Sequence, residues 1–104
     1  MRILVVCGAG ASSTFVAQRI NKAARAQKLA YSATATNEAS LAEGVGSSDL
    51  VLLGPHLAAR FEQVQGLAAP HGVTVVLLDA DVFADLDGSR TVARIEAAVR
   101  DRST

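Results

Sequence analysis

The sequence predicts an α/β domain, an open parallel sheet of four strands with helices on both faces. Two observations carry that expectation. Short aliphatic runs alternate along the whole chain with stretches of helical periodicity, in the order β-α-β-α-β-α-β-α and at short spacing. The first run, Arg2-Ile3-Leu4-Val5-Val6-Cys7, is nearly unbroken rather than alternating, as a strand must be when helices cover both of its faces. At 104 residues the chain is expected to be one domain, residues 1–104, able to bury a core without staples.

The elements follow in order. The first run stops at Gly8-Ala9-Gly10-Ala11-Ser12-Ser13-Thr14, where a helix begins. Val16, Ile20, Ala23, Ala24 and Gln27 fall on or beside one face of it, with Arg19, Lys22, Arg25 and Lys28 mostly opposite. Ser12, Ser13 or Thr14 is expected to cap its first turn. Residues 31–36 alternate and are rich in Thr, Ser and Ala, a weaker strand expected at a sheet edge. Asn37 caps a short helical stretch that Gly44 and Gly46 end. Residues 49–53 are the third strand, closed by Gly54-Pro55, and Pro55 suits the first position of a helix because its missing N–H costs nothing there. Leu57, Phe61, Val64 and Ala68 mark that helix as amphipathic. Residues 73–78 are the fourth strand and residues 79–88 an acidic loop or short turn; Val92, Ile95, Ala98 and Val99 line a last helix. The economical strand order is 2-1-3-4, a flavodoxin-like three-layer sandwich whose switch point lies between strands 1 and 3. Ligands in such sheets sit beyond the carboxyl ends of the strands at that point. Topology therefore nominates residues 7–14 and the turn Gly54, Pro55, His56.

Composition narrows the function. Apolar residues make up 50% of the chain but aromatics only 4%, so the core must be small aliphatics. Ten cations balance ten acids, which excludes a nucleic-acid binder driven by bulk positive charge. The longest aliphatic runs fall far short of the ~18 residues needed to span a bilayer, and no secretory pattern precedes the first strand, so a cytoplasmic protein is expected. A single cysteine excludes an internal disulfide, and no Cys/His set has zinc spacing. Asp79, Asp81, Asp85 and Asp87 do not fit a calcium loop, because Phe83 stands where an oxygen ligand is required. Neither a metal nor a cofactor is expected. The dinucleotide fingerprint fails at Ser13, no Gly-Lys-Ser/Thr is present, and flavin would need stacking aromatics that the loop lacks.

What remains is the chemistry of Cys7. A loop of small residues opening a helix can wrap backbone N–H groups around a tetrahedral anion, and the helix N-terminus adds partial positive charge. Glycines at 8 and 10 allow close approach, and the hydroxyls of Ser12, Ser13 and Thr14 can add hydrogen bonds. The same field favours a thiolate over a thiol, making Cys7 nucleophilic. A thiol beside a phosphate cradle points to phosphoryl transfer through a cysteinyl phosphate. The alternative for any lone cysteine is an inert buried hydrophobe.

The segment Ile3-Leu4-Val5-Val6-Cys7-Gly8-Ala9-Gly10-Ala11-Ser12-Ser13-Thr14 resembles the start of the enzyme IIB component of the phosphoenolpyruvate-dependent sugar phosphotransferase system, lactose/cellobiose (chitobiose) class. Asp49-Leu50-Val51-Leu52-Leu53-Gly54-Pro55-His56 and the Asp-Gly before the last helix fit the same family in order. The resemblance implies a cytosolic phosphocarrier that acts transiently at the inner face of the membrane. Cys7 would accept a phosphoryl group from a phosphohistidine on a IIA partner, and Gly8, Ala9, Gly10, Ala11, Ser12, Ser13 and Thr14 would form the phosphate cradle. The group would pass to a β-disaccharide held by the membrane component IIC, with no insertion of this chain into the membrane. His56 stands where the family often has Gln, and the aromatic that commonly follows is absent from Leu57-Ala58-Ala59-Arg60.

Two other readings remain open. Low-molecular-weight phosphatases and arsenate reductases also place a Cys after strand 1, but they need an Arg six residues on, where this chain has Ser13, and an Asp-Pro acid that it lacks. A non-catalytic regulatory module could share the fold. His56 and Asp79 are expected on the same rim as Cys7, as contributors to the phosphate site or to docking, and His71 at the opposite rim. Residues 1–37 hold five cations and no acid, mostly on the outer face of the first helix, either a solvated face or a docking surface for an acidic phosphodonor.

Overall fold

Strands that are apolar at every position need cover on both sides, and the fold provides it. The structure is a computed structural model that describes residues 1–6, 10–78 and 88–103, with only the backbone described at 10–12, 38, 39 and 101–103. The elements are β1 (Arg2–Val6), α1 (Gly10–Ala26), β2 (Ser32–Thr36), α2 (Glu38–Gly44), β3 (Leu50–Leu53), α3 (Phe61–Ala68), β4 (Thr74–Leu77) and α4 (Ser89–Ser103). Short 3-10 segments at Val45–Ser47, Pro55–Arg60 and Ala69–His71 link them. The sheet runs β2-β1-β3-β4, and every pairing is parallel. This is the expected flavodoxin-like order.

Alternate residues of the central strands feed two cores. Ile3, Val5, Leu50 and Leu52 pack with Ala33 under α1 and α4, against Val16, Ile20, Val92 and Ile95. Leu4, Val6, Val51 and Leu53 face the other way, against Leu41, Val45, Leu57 and Val64. All four residues of β3 are buried, which is why its sequence shows no alternation. Burying such side chains contributes roughly 1.5–3 kcal/mol each. The layers are therefore held together mainly by aliphatics, with Tyr31 and Phe61 packed at the margins of the two cores.

Several boundaries differ from expectation for local reasons. The third strand starts at Leu50, because Asp49 closes the foot of the sheet: its carboxylate accepts from the Arg2 N–H at 2.8 Å and its own N–H donates to the Arg2 carbonyl at 2.8 Å. The helix marked by Leu57 begins as a 3-10 segment and becomes α-helical only at Phe61; Leu57 itself leaves helical geometry (φ −105°, ψ 19°) while its side chain is buried. Gln27, expected beside the buried face, is exposed because α1 has already ended. There the Leu29 N–H reaches the Ala24 carbonyl and the Lys28 N–H the Arg25 carbonyl, with Lys28 left-handed (φ 59°). That is a Schellman stop with lysine at the position glycine usually takes. Asn37 caps α2 as expected, its Oδ1 accepting from the Ser40 N–H at 2.9 Å.

Both sheet edges are occupied by side chains. The Asn21 amide, on α1, pairs with both outward backbone groups of Ala33 in β2: Oδ1 accepts from its N–H at 2.8 Å and Nδ2 donates to its carbonyl at 3.0 Å. On the far edge Arg94 donates to the Leu77 carbonyl of β4 at 3.0 Å. Such contacts blunt edges that would otherwise template strand addition. Among the described residues, no helix is long and apolar enough to cross a membrane.

Two consequences are measurable. Gly88, at the entry to α4, is buried with φ 76°, and a Cβ there would overlap the Arg19 carbonyl oxygen of α1. Gly88→Ala is therefore expected to lower unfolding free energy by at least about 2 kcal/mol in urea titrations. Asn21→Ala strips both partners from Ala33, and a loss of about 1–2 kcal/mol is expected in the same assay. Asn21→Asp should not rescue it, because a carboxylate would face the Ala33 carbonyl.

Candidate functional site

The strand order creates a crevice at one rim. From β1 the chain passes to α1 on one face of the sheet, and from β3 it passes to residues 55–60 on the other. The two departures separate above the carboxyl ends of adjacent parallel strands, the geometry in which such sheets bind ligands.

One backbone contact fixes the crevice floor. The Gly54 N–H donates to the Val6 carbonyl at 2.7 Å, extending the β1–β3 ladder one step beyond Leu53. Gly54 is buried in extended geometry (φ −65°, ψ 154°), and Pro55 opens the 3-10 segment that follows. The structure thus brings Gly54 beside the end of β1, with Pro55 and the exposed His56 following it in the chain. Across the crevice, α1 begins at Gly10, with three residues joining it to Val6. Its first turn holds no acidic residue. A 17-residue helix therefore presents the positive end of its dipole to this rim.

The predicted residues divide accordingly. Cys7, Gly8, Ala9 and Asp79 lie outside the described residues, as do the side chains of Gly10, Ala11 and Ser12. Ser13 is only 2% exposed and shares the sheet-facing seam of α1 with Ala17, Ile20 and Ala24, whereas Thr14 is on the outer side. The capping expectation needs correction: Ser12, Ser13 and Thr14 all lie inside α1, which starts at Gly10, so none is its N-cap residue. His71 is at the opposite rim, before β4, exposed and with its ring against Gly46. Tyr31 is also at that opposite rim; burial first and the Glu96 carboxylate second hold its phenol above the ordinary pKa, with Arg100 pulling the other way.

Sequence reading overlooked Phe15, in the second turn of α1. It is 57% exposed, the most exposed large apolar side chain described. The signal was present: at helical spacing Phe15 aligns with Arg19 and Lys22 on the outward face, not with Val16 and Ile20.

Comparison with known proteins agrees with this geometry. The model of the family described as "PTS system, Lactose/Cellobiose specific IIB subunit" matches residues 2–94. A curated relative, the PTS system lactose-specific EIICB component of Lactococcus lactis subsp. lactis, is 27% identical over 96 residues. That alignment takes in 90% of this chain but 17% of the relative, so the chain spans about one sixth of that protein's length. Among solved structures, the lactose-specific IIB domain from Streptococcus pneumoniae superposes with a TM-score of 0.86 at 19% identity, covering 94% of this chain and 96% of that one. The cellobiose-specific phosphotransferase IIB component from Borrelia burgdorferi gives 0.75 at 27% identity, covering 98% and 94%. With the fold, the rim and the family match in register along the chain, this protein belongs to the lactose/cellobiose-specific IIB family of the sugar phosphotransferase system.

Proposed function

We propose that the chain is a phosphocysteine carrier, with Cys7 as the acceptor. The observation that supports it most is positional. Val6, the residue before Cys7 in the chain, ends β1 at the switch point, where the Gly54 N–H meets its carbonyl, and α1 starts three residues after Cys7, at Gly10. A strand end and a helix N-terminus that meet at a switch point are where sheets of this kind take up anions.

The chemistry runs in two displacements. The Cys7 thiolate attacks the phosphorus of a phosphohistidine on a IIA partner; the S–P bond forms as the P–N bond breaks, and the departing imidazole takes a proton from water. A hydroxyl of a sugar bound by a membrane IIC component then attacks the same phosphorus. The new O–P bond forms as S–P breaks, the hydroxyl proton leaves to a base on the recipient side, and the thiolate is restored. Backbone N–H groups of the loop after Cys7 and of the start of α1 would hold the equatorial oxygens through both steps, so catalysis is positioning plus charge stabilisation. Gly54, Pro55 and His56, with Asp79 as a further contributor, are the residues against which partners would seat. The sugar is a β-disaccharide of the lactose, cellobiose or chitobiose type. The chain works in the cytoplasm and hands the group over transiently at the inner face of the membrane.

A hydrolytic reading has less support. A phosphatase of this topology needs a guanidinium six residues after the cysteine, and Ser13 there is a buried hydroxyl. Without that clamp, a phosphocysteine is retained rather than quickly hydrolysed.

Cys7→Ser is expected to cut phosphoenolpyruvate-dependent sugar phosphorylation by about 10³-fold or more, with far-UV circular dichroism and urea midpoint unchanged. Labelled lactose and cellobiose would be assayed with membranes carrying the cognate IIC. Normal sugar phosphorylation by Cys7→Ser would remove Cys7 from the relay.

A further inference from the structure

The two helical layers carry opposite charge. On one face of the sheet, α1 and the turn after it hold Arg19, Lys22, Arg25 and Lys28 with no acid. Beside them α4 has four arginines against Glu96 and Asp101, so the layer, residues 10–28 and 89–103, is net +6. The helical segments of the opposite layer, residues 37–47 and 55–71, have three acids and Arg60, a net of −2. Arg2, Asp49 and the four aspartates of residues 79–87 bring the whole chain to zero, so the balanced total hides the difference between the two helical layers.

The basic layer has a definite shape. Lys22, Arg25 and Lys28 are exposed, as are Arg90, Arg94 and Arg100 on α4. Where Glu96 offsets this charge it pairs within its own helix, with Arg100 at 3.8 Å. Phe15 stands on the same outward line as Arg19 and Lys22, at the end of α1 nearest the candidate site. The cations are spread along a helix about 25 Å long rather than gathered around a pocket.

We propose that the α1–α4 face rests on the surface of an anionic bilayer. Headgroup phosphates match dispersed lysines and arginines, and the acyl boundary takes up an exposed aromatic ring among them. An acidic protein could answer the charge. It would have to supply a pocket for Phe15 and a partner for cations spread over the length of α1. A bilayer supplies both without a specific fit. The acidic opposite layer is repelled by the same surface, so the chain binds one way round, with Phe15 holding the candidate site's end of α1 against the membrane. This inference goes beyond the phosphocarrier reading and does not need Cys7 to be reactive.

The test is co-sedimentation of the chain with vesicles of phosphatidylcholine alone and of phosphatidylcholine with about one-third phosphatidylglycerol. Run with Cys7→Ser, the assay separates this result from the relay. Expected is at least about tenfold stronger partition onto the anionic vesicles, lost as salt rises through a few tenths molar. Lys22→Glu with Arg25→Glu should abolish the preference, and Phe15→Ser should weaken binding at fixed salt. Glu43→Gln with Glu62→Gln, on the opposite layer, should leave it intact. Unfolding curves establish that each variant is folded. Equal partition onto both vesicles, or a preference that survives the charge reversal in a folded variant, would overturn the proposal. So would absence of vesicle binding while IIA-dependent phosphorylation of the Cys7 protein remains sensitive to Lys22→Glu, which would assign the face to an acidic protein.

Discussion

Much of the molecule depends on the hydrogen-bonding of β1 to parallel strands on both sides. A central strand of this kind has no free edge, both of its faces are covered, and its side chains are aliphatic from Ile3 to Val6. Parallel pairing also forbids hairpins, which forces every connection to cross over a face. Crossing first toward β2 and then past β1 to β3 puts α1 and the Pro55–Arg60 segment on opposite faces. The crevice at the carboxyl rim is the geometric result. The Gly54–Val6 hydrogen bond is its floor because β3 continues pairing one residue after its regular geometry ends.

Legibility in the sequence followed burial. The unbroken runs at residues 3–6 and 50–53 announced strands covered on both faces, and the small polar composition of 32–36 announced an edge. From these the strand order and the switch point follow. Asn37 was legible as a cap because its chemistry is local. What escaped reading was set by tertiary contact. Pro55 marked a helix start, but nothing nearby in sequence signals that Leu57 must leave helical geometry. Gly88 reads as an ordinary loop glycine until α1 is seen pressed against it. The Asn21–Ala33 pair joins residues twelve apart through a fold that had to form first.

The candidate site divides in the same way. Its position came from topology and its chemistry from residue types: one cysteine, small residues and hydroxyls. The three hydroxyls looked alike in sequence, yet the register of α1 separates them, turning Ser13 toward the sheet and Thr14 outward. The start of α1 at Gly10 also puts all three hydroxyl residues inside the helix. Helix start and strand end thus act together, the loop between them being too short for either to shift alone.

The central claim is that Cys7 at this rim carries the phosphoryl group, and intact mass tests it most directly. The chain would be incubated with phosphoenolpyruvate, the two general phosphotransfer proteins and a IIA confirmed as phosphorylated, beside Cys7→Ala. Gain of the mass of one phosphoryl group, requiring both that IIA and Cys7, is the predicted result. A phosphorylated product of equal yield from Cys7→Ala, or none from the native chain across the lactose- and cellobiose-type IIA proteins, would contradict the account.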